Sequence, residues 1–453
     1  MKGLSIPSIF GDNAVFAKGL PISVFGEGQV EGDVVLTLAN GESYAAHFVP
    51  ENDRFFVALP SVQYYTDGAT LTVTAGEDTY EARNISIGIV LLAAGQSNME
   101  MRLNEAERPF SLYPSEKMRF FTEKHDIGSR GGLMSKPTSD RWYTADGMTE
   151  LNFSAIGYFT AQRLSRELGA TVGVVSCNQG ASRIEAWMSP EAVKKSGCPL
   201  PTPEVVAREH VFNLDNWLYY NKYLNVGAYT YTAVLWYQGE NNTGVGEGEC
   251  YARLLHELIC EWRNNNPNKQ LPFYLVELAP LDTVRSGWSS EPIIAFALVR
   301  LALSSAPRTE SGVYTVSLTE VPDATNIHPT NKHEVAYKLS NAILTTLYGY
   351  DLEYTGPTLL YSKRNEDILT IAFEHAEGLA FLDKNRNEAA PRDAFFILEN
   401  GARKEAILSI CDNCVCAEIP QGATQFTMGY SDLPRHNLYN SSGYLASPFC
   451  ILL

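Results

Sequence analysis

The sequence predicts an α/β fold: a parallel sheet with helices on both faces, flanked by an antiparallel β domain at each end. Three observations predict it. Residues 87 to 348 alternate strand-like apolar runs with helical periodicity, the pattern of repeated β-α units that build a parallel sheet. Residues 1 to 86 and 349 to 453 alternate apolar and polar positions with period two, as antiparallel strands do. Ile87 to Ala94 is a continuous apolar run that stops at Gly95, the signature of a strand buried on both faces. At 453 residues, 45% hydrophobic, the chain can hold two or three domains, read as 1–86, 87–348 and 349–453.

The first segment carries alternating runs such as Asp33 to Leu38 and Thr70 to Thr74. They are separated by turn signals at Ala39-Asn40-Gly41-Glu42 and Thr66-Asp67-Gly68, which suggests a β-sandwich. In the middle segment, strands are expected at Ile87–Ala94, Val172–Val175, Tyr231–Leu235, Phe273–Val276 and Val313–Leu318. Helical spacing is carried by Ile156, Phe159, Leu164 and Leu168, then by Tyr251 to Trp262, Pro292 to Leu303 and Thr330 to Leu347. Residues 102 to 150, with Gly128-Ser129-Arg130-Gly131-Gly132, lack strong periodicity and read as one long loop that shapes the site. Alternation returns in Asp367 to Phe373 and in Ala394 to Leu398 before Asn400-Gly401, which predicts a second β domain docked on the core.

Bulk properties narrow the function. A net charge of −17 argues against nucleic acid and against anionic membrane surfaces as partners. No apolar stretch approaches membrane-spanning length, and Met1 to Pro7 lacks the apolar core of a secretory signal. Eight cysteines in a chain of this size do not form a disulfide scaffold, and Cys177, Cys250, Cys260 and Cys450 read as small buried hydrophobes. Cys411-Asp412-Asn413-Cys414-Val415-Cys416 has no second ligand pair at zinc-site spacing, so no metal is expected. The expectation is a reduced, cytoplasmic protein.

Chemistry concentrates at strand ends. Gly95-Gln96-Ser97-Asn98-Met99 follows the first buried strand, a common way to expose a serine nucleophile, although a serine there also serves as a plain turn or cap residue. Cys177-Asn178-Gln179-Gly180-Ala181-Ser182 follows the second strand, and Trp236-Tyr237-Gln238-Gly239-Glu240-Asn241 the third. Asp323-Ala324-Thr325-Asn326-Ile327-His328-Pro329 follows the last. In an open α/β sheet such ends converge on one crevice. A serine, a glycine amide, a glutamine amide, carboxylates and a histidine are the parts of acyl transfer.

These blocks resemble those of SGNH-type (GDSL-like) serine hydrolases, and more narrowly those of the sialate O-acetylesterase family of carbohydrate esterases. The similarity extends from Ile6-Pro7-Ser8-Ile9-Phe10-Gly11-Asp12-Asn13 through Ile327-His328-Pro329-Thr330-Asn331-Lys332 to Asn437-Leu438-Tyr439-Asn440 and Ala446-Ser447-Pro448-Phe449. The resemblance implies hydrolysis of O-acetyl esters of sugars, with an acetylated carbohydrate as partner and no cofactor. An acetylated sialic acid or an acetylated plant polysaccharide would serve; a carbohydrate-binding protein on an inactive hydrolase scaffold is the non-enzymatic alternative.

The resemblance also implies roles. Ser97 is the nucleophile and His328, whose ordinary pKa of about 6.5 suits proton shuttling, is its base. Oxyanion donors would be the Ser97 amide, the Gly180 amide and the Gln238 side chain, where the wider superfamily has Asn. Substrate contacts fall to Asn241 and to Arg183, a local cation for an anionic sugar or else a partner in a surface salt bridge. The acid orienting His328 stays open. Much of the superfamily has Asp three residues before the histidine, where this chain has Thr325. Asp323, Glu240 or no acid at all are the alternatives.

Overall fold

The computed structural model describes residues 3–109, 112–123, 141–199, 210–214, 216–244, 247–290, 293–318 and 323–453. By its internal contacts the chain divides into two compact units. One comprises Met1–Trp236, Glu257–Phe273 and Thr330–Ser340; the other comprises Tyr237–His256, Tyr274–Pro329 and Asn341–Leu453.

The first unit opens with six strands: β1 (Val15–Ala17), β2 (Ile22–Glu27), β3 (Gly32–Thr37), β4 (Ser43–Phe48), β5 (Arg54–Leu59) and β6 (Thr66–Ala75). β3 pairs antiparallel with β4 and β6, and β2 with β5. The next strand, β7 (Asp78–Gly95), passes residue 86 without a break. Its first half pairs antiparallel with β6, and there exposed positions interrupt the buried ones. From Ile85 onward every residue is buried, because that half lies inside the parallel sheet.

In that sheet β10 (Val172–Asn178) runs parallel to β7 on one side and to β8 (Ser115–Thr122) on the other. β9 (Tyr143–Ala145) closes the edge antiparallel to β8. β11 (Ala233–Tyr237) flanks β7 on its other side. The helix α2 (Ala155–Leu168) starts because the Ser154 hydroxyl accepts from the Gly157 amide, and it stops at Gly169, which takes a left-handed φ of 62°. These parallel strands and helices are the α/β architecture expected of the middle segment.

The second unit contains the neighbouring strands β12 (Phe273–Val276) and β13 (Val313–Val316). It also holds two four-stranded antiparallel sheets built after residue 357, which share a core of Leu369, Ile371, Phe396, Val415, Phe426 and Ile451. The helix Ala295–Thr309 is tied to that C-terminal region by Arg300. This buried guanidinium donates to the carbonyls of Leu278, Ala279, Ser431 and Asp432, and burial brings its pKa down to about 10.

Several expectations need correction. Residues 102 to 150 are not one loop, since they contain β8 and β9; Gly128 to Gly132 lie outside the described residues. The two later helices run Ala295–Thr309 and Lys332–Tyr348, each starting and ending later than expected. Of the four cysteines expected in the core only Cys177 is fully buried; Cys250, Cys260 and Cys450 are half-buried. None of the eight cysteines forms a disulfide. No helix among the described residues is long and apolar enough to cross a membrane.

Candidate active site

In the first unit, Ser97 begins a single helical turn, α1 (Ser97–Glu100), one residue after β7 ends. The strand-to-turn junction needs glycine: Gly95 has φ 140°, a value that side-chain-bearing residues rarely adopt. The turn is held by Ser154, whose hydroxyl donates to the Met99 carbonyl at 2.6 Å while capping α2. Asn98 is fully buried, and its Oδ1 accepts from the Lys332 ammonium at 2.6 Å.

Parallel pairing sets Asn178 of β10 level with Gly95 of β7. Gly180 therefore arrives beside Ser97. A Cβ on Gly180 would stand 3.5 Å from the Ser97 Cβ and 3.0 Å from a Glu100 carboxylate oxygen, so a side chain here would crowd the nucleophile. The Gly180 amide donates to Glu100 Oε2 at 2.5 Å. Expected as an oxyanion donor, that amide is held in this structure by a carboxylate three residues past Ser97. The block ending at Met99 did not reach Glu100.

Arg183 is not part of a surface salt bridge. It is 2% exposed, with its guanidinium 3.5 Å from the buried Glu185 carboxylate. The alternative of a surface salt bridge is thus replaced by a buried pair with Glu185. A second buried pair lies at the ends of β8 and β10. The Lys222 ammonium sits 3.7 Å from Glu123 Oε2 and donates to the Asn178 carbonyl, while Asn225 donates to Glu123 Oε1 at 2.9 Å. Burial lifts the Glu123 carboxyl to about 7 even so, opposed by Lys222 and Asn225. Lys222 lies on a π-helical turn, Tyr219–Tyr223, a device often found near functional sites. Nothing in the linear sequence pairs residues about a hundred positions apart.

In the second unit, Gln238 is fully buried and its amide is oriented at both ends. Its Nε2 donates to Asn242 Oδ1 at 2.9 Å, and its Oε1 accepts from the Tyr251 hydroxyl at 2.8 Å. Gly239 takes φ 144°, and a Cβ there would lie 2.6 Å from Val299 Cγ1. Glu240 is 2% exposed at the start of a 3-10 turn, and Asn241 beside it is half-buried. Asp323 is exposed, and its Oδ1 accepts from the Thr325 amide at 2.9 Å and from the Thr325 hydroxyl at 2.7 Å. Those bonds hold its carboxyl below the usual range. Asp323 Oδ1 thus closes a local turn with Thr325. His328 is half-buried, with its amide donating to Asn326 Oδ1 at 2.9 Å. No group of three or more metal-binding side chains occurs among the described residues.

Comparison with known proteins agrees with this chemistry. A sequence model described as carbohydrate esterase, sialic acid-specific acetylesterase, matches residues 87–344, more than half of the chain. The sialate O-acetylesterase of Rattus norvegicus is 24% identical over 400 residues, covering 74% of this chain and 72% of the relative. That of Homo sapiens is 25% identical over 376 residues, covering 74% and 69%. The crystal structure of a carbohydrate acetylesterase from Xanthomonas citri superposes with a TM-score of 0.82 at 23% identity, covering 99% of both chains, so the two share a fold from end to end. The chain therefore belongs to the carbohydrate esterase family of sialic acid-specific acetylesterases.

Proposed function

We propose that the protein removes O-acetyl groups from sugars through an acetyl-Ser97 intermediate, with O-acetylated sialic acid as its first substrate class. The observation that carries this reading is the placement of Ser97 on a one-turn helix at the end of a buried parallel strand, with Gly180 beside it. In the proposed reaction His328 takes the Ser97 proton as Oγ attacks the acetyl carbon. The tetrahedral oxyanion is met by amide donors, Gln238 and Gly180 among them. Collapse expels the sugar alkoxide, which takes the proton back from His328. Water activated by His328 then releases acetate. Glu240, buried and in the same unit as His328, is the proposed orienting acid. The anchorage of Lys332, four residues past His328, on Asn98 supports the pairing of the two blocks.

The deciding experiment compares acetate release from O-acetylated sialic acid and from acetylated xylo-oligosaccharides, with Ser97→Ala as control. Faster turnover of the sialic acid supports the reading, and preference for the xylo-oligosaccharide moves the assignment to plant polysaccharides. Absence of turnover on any acetate ester, with sugar binding retained, identifies a binding protein instead. Full activity in Ser97→Ala removes the mechanism altogether.

A further inference from the structure

The segment that brings Gly180 to Ser97 is strained. Ala181 has φ 58°, in the left-handed region where a Cβ is unfavourable and where glycine is the ordinary occupant. A strained residue persists only where its surroundings over-determine it. Among those surroundings is one side chain distant in sequence. Asn213, 4% exposed on a short 3-10 turn (Val211–Asn213), donates from Nδ2 to the Ala181 carbonyl at 2.9 Å. Its Oδ1 accepts from the Arg183 amide, also at 2.9 Å. One planar amide thus spans the peptide groups on both sides of Ser182, whose hydroxyl accepts from the Trp187 indole at 2.9 Å.

We propose that Asn213 is a positioning residue for the reaction: its two-point clamp holds Ala181 left-handed and thereby sets the direction of the preceding Gly180 amide beside Ser97. The inference rests on the esterase reading above. A carbonyl acceptor and an amide donor two residues apart on one strained turn require a group with both functions in one plane, which among small side chains only Asn supplies. If the clamp opens, Ala181 relaxes toward negative φ and the Gly180 peptide rotates away. Ground-state binding of the ester changes little, but donors aimed at the oxyanion are lost, so kcat falls rather than KM rising.

The test uses the full chain and a chromogenic acetate ester at a temperature well below unfolding, with melting recorded for every variant. Asn213→Ala is expected to lower kcat by about 10- to 100-fold with KM within about twofold, in line with the cost of misplacing an oxyanion donor. Adding Ala181→Gly, which makes the left-handed conformation inexpensive, is expected to restore part of that loss. Should Asn213→Ala fail to fold, Asn213→Asp carries the same test: it keeps the shape and the acceptor for Arg183, and it replaces the donor to Ala181 by a carboxylate oxygen that repels that carbonyl. A kcat within threefold of wild type, a loss carried by KM, or no recovery on adding Ala181→Gly overturns the proposal. Wild-type protein without Ser97-dependent turnover would instead sink the esterase reading, a separate outcome of the same series.

Discussion

Lys332 Nζ donates to Asn98 Oδ1 at 2.6 Å, and neither side chain is exposed to solvent. Asn98 follows Ser97, and Lys332 follows His328 by four residues, so one buried bond joins the chain segments that carry the proposed nucleophile and base. A second tie lies alongside. The Thr330 hydroxyl donates to Glu107 Oε1 at 2.6 Å, and the Glu107 amide donates back to the Thr330 carbonyl at 3.0 Å. Removing the ammonium leaves a buried amide oxygen without this donor, a cost of about 1–3 kcal/mol. Lys332→Met, which keeps the length of the stem, is expected to lower kcat on an acetate ester at least tenfold while the protein stays folded. Kinetics paired with a thermal melt check this; unchanged kcat with a lowered melting temperature would leave Lys332 a purely structural residue.

Glu100 presents a conflict of charge. Its carboxylate holds the Gly180 amide at 2.5 Å, and the reaction develops its own anion in need of that donor. Two unit charges about 4 Å apart repel by about 1–4 kcal/mol between bulk water and a protein surface, enough to matter to a rate. Glu100→Gln, which keeps an acceptor oxygen and removes the charge, is expected to raise kcat/KM severalfold on a simple acetate ester. It is also expected to tighten competitive inhibition by acetate. A drop of tenfold or more with acetate inhibition unchanged would show that the Gly180 amide is not an oxyanion donor and that Glu100 serves to hold the loop.

The orienting acid can be decided by substitution in the second unit. Asp323 spends its carboxylate on Thr325 at the surface, so Asp323→Asn is expected to leave kcat within a few-fold of wild type. Glu240→Gln is expected to lower kcat by more than about 100-fold, since an amide can fix the wrong histidine tautomer and cannot stabilise the imidazolium. His328→Ala sets the scale for both. If Glu240→Gln stays near wild type as well, His328 works without an acid.

Legibility in the sequence followed burial and locality. The strand before Ser97 could be read because the buried positions from Ile87 to Ala94 form an uninterrupted apolar run. β8 was missed because only Met118, Phe120 and Phe121 mark it as apolar, among charged neighbours such as Glu116, Lys117 and Arg119. Arg119 is charged and yet buried, donating to the carbonyls of Asn13 and Asn84, which periodicity cannot register. Ser97, Gly180 and Gln238 could be singled out as candidates because each lies within two residues of a strand end. Glu100, Asn213 and the Glu123–Lys222 pair were not, because their partners are set by strand register and loop return rather than by sequence spacing. Asp323 shows the converse: the sequence places an acid near a histidine, and the structure adds a partner nearer still, in Thr325.

The Glu123–Lys222 pair ties stability to pH. Glu123 has its carboxyl raised by burial to about 7 in the folded protein, against an ordinary 4.5. For a raised acid the folded state binds the proton more tightly than the unfolded one. Its contribution is therefore full below about 4.5 and is lost as pH rises through about 7. Lys222 limits that loss by holding an ammonium 3.7 Å from the ionised carboxylate. Lys222→Met removes the compensation and raises the Glu123 carboxyl further. Breaking a buried pair in this way costs about 3–5 kcal/mol, and the cost should be greatest above pH 7, where Glu123 would have to stay ionised alone. Near pH 5 Glu123 takes up a proton, and a substantial part of the deficit should vanish. Urea unfolding of wild type and Lys222→Met at pH 5 and pH 8 measures the difference directly. A deficit equal at both values, or larger at pH 5, would mean that Lys222 acts through its bond to the Asn178 carbonyl and not through Glu123.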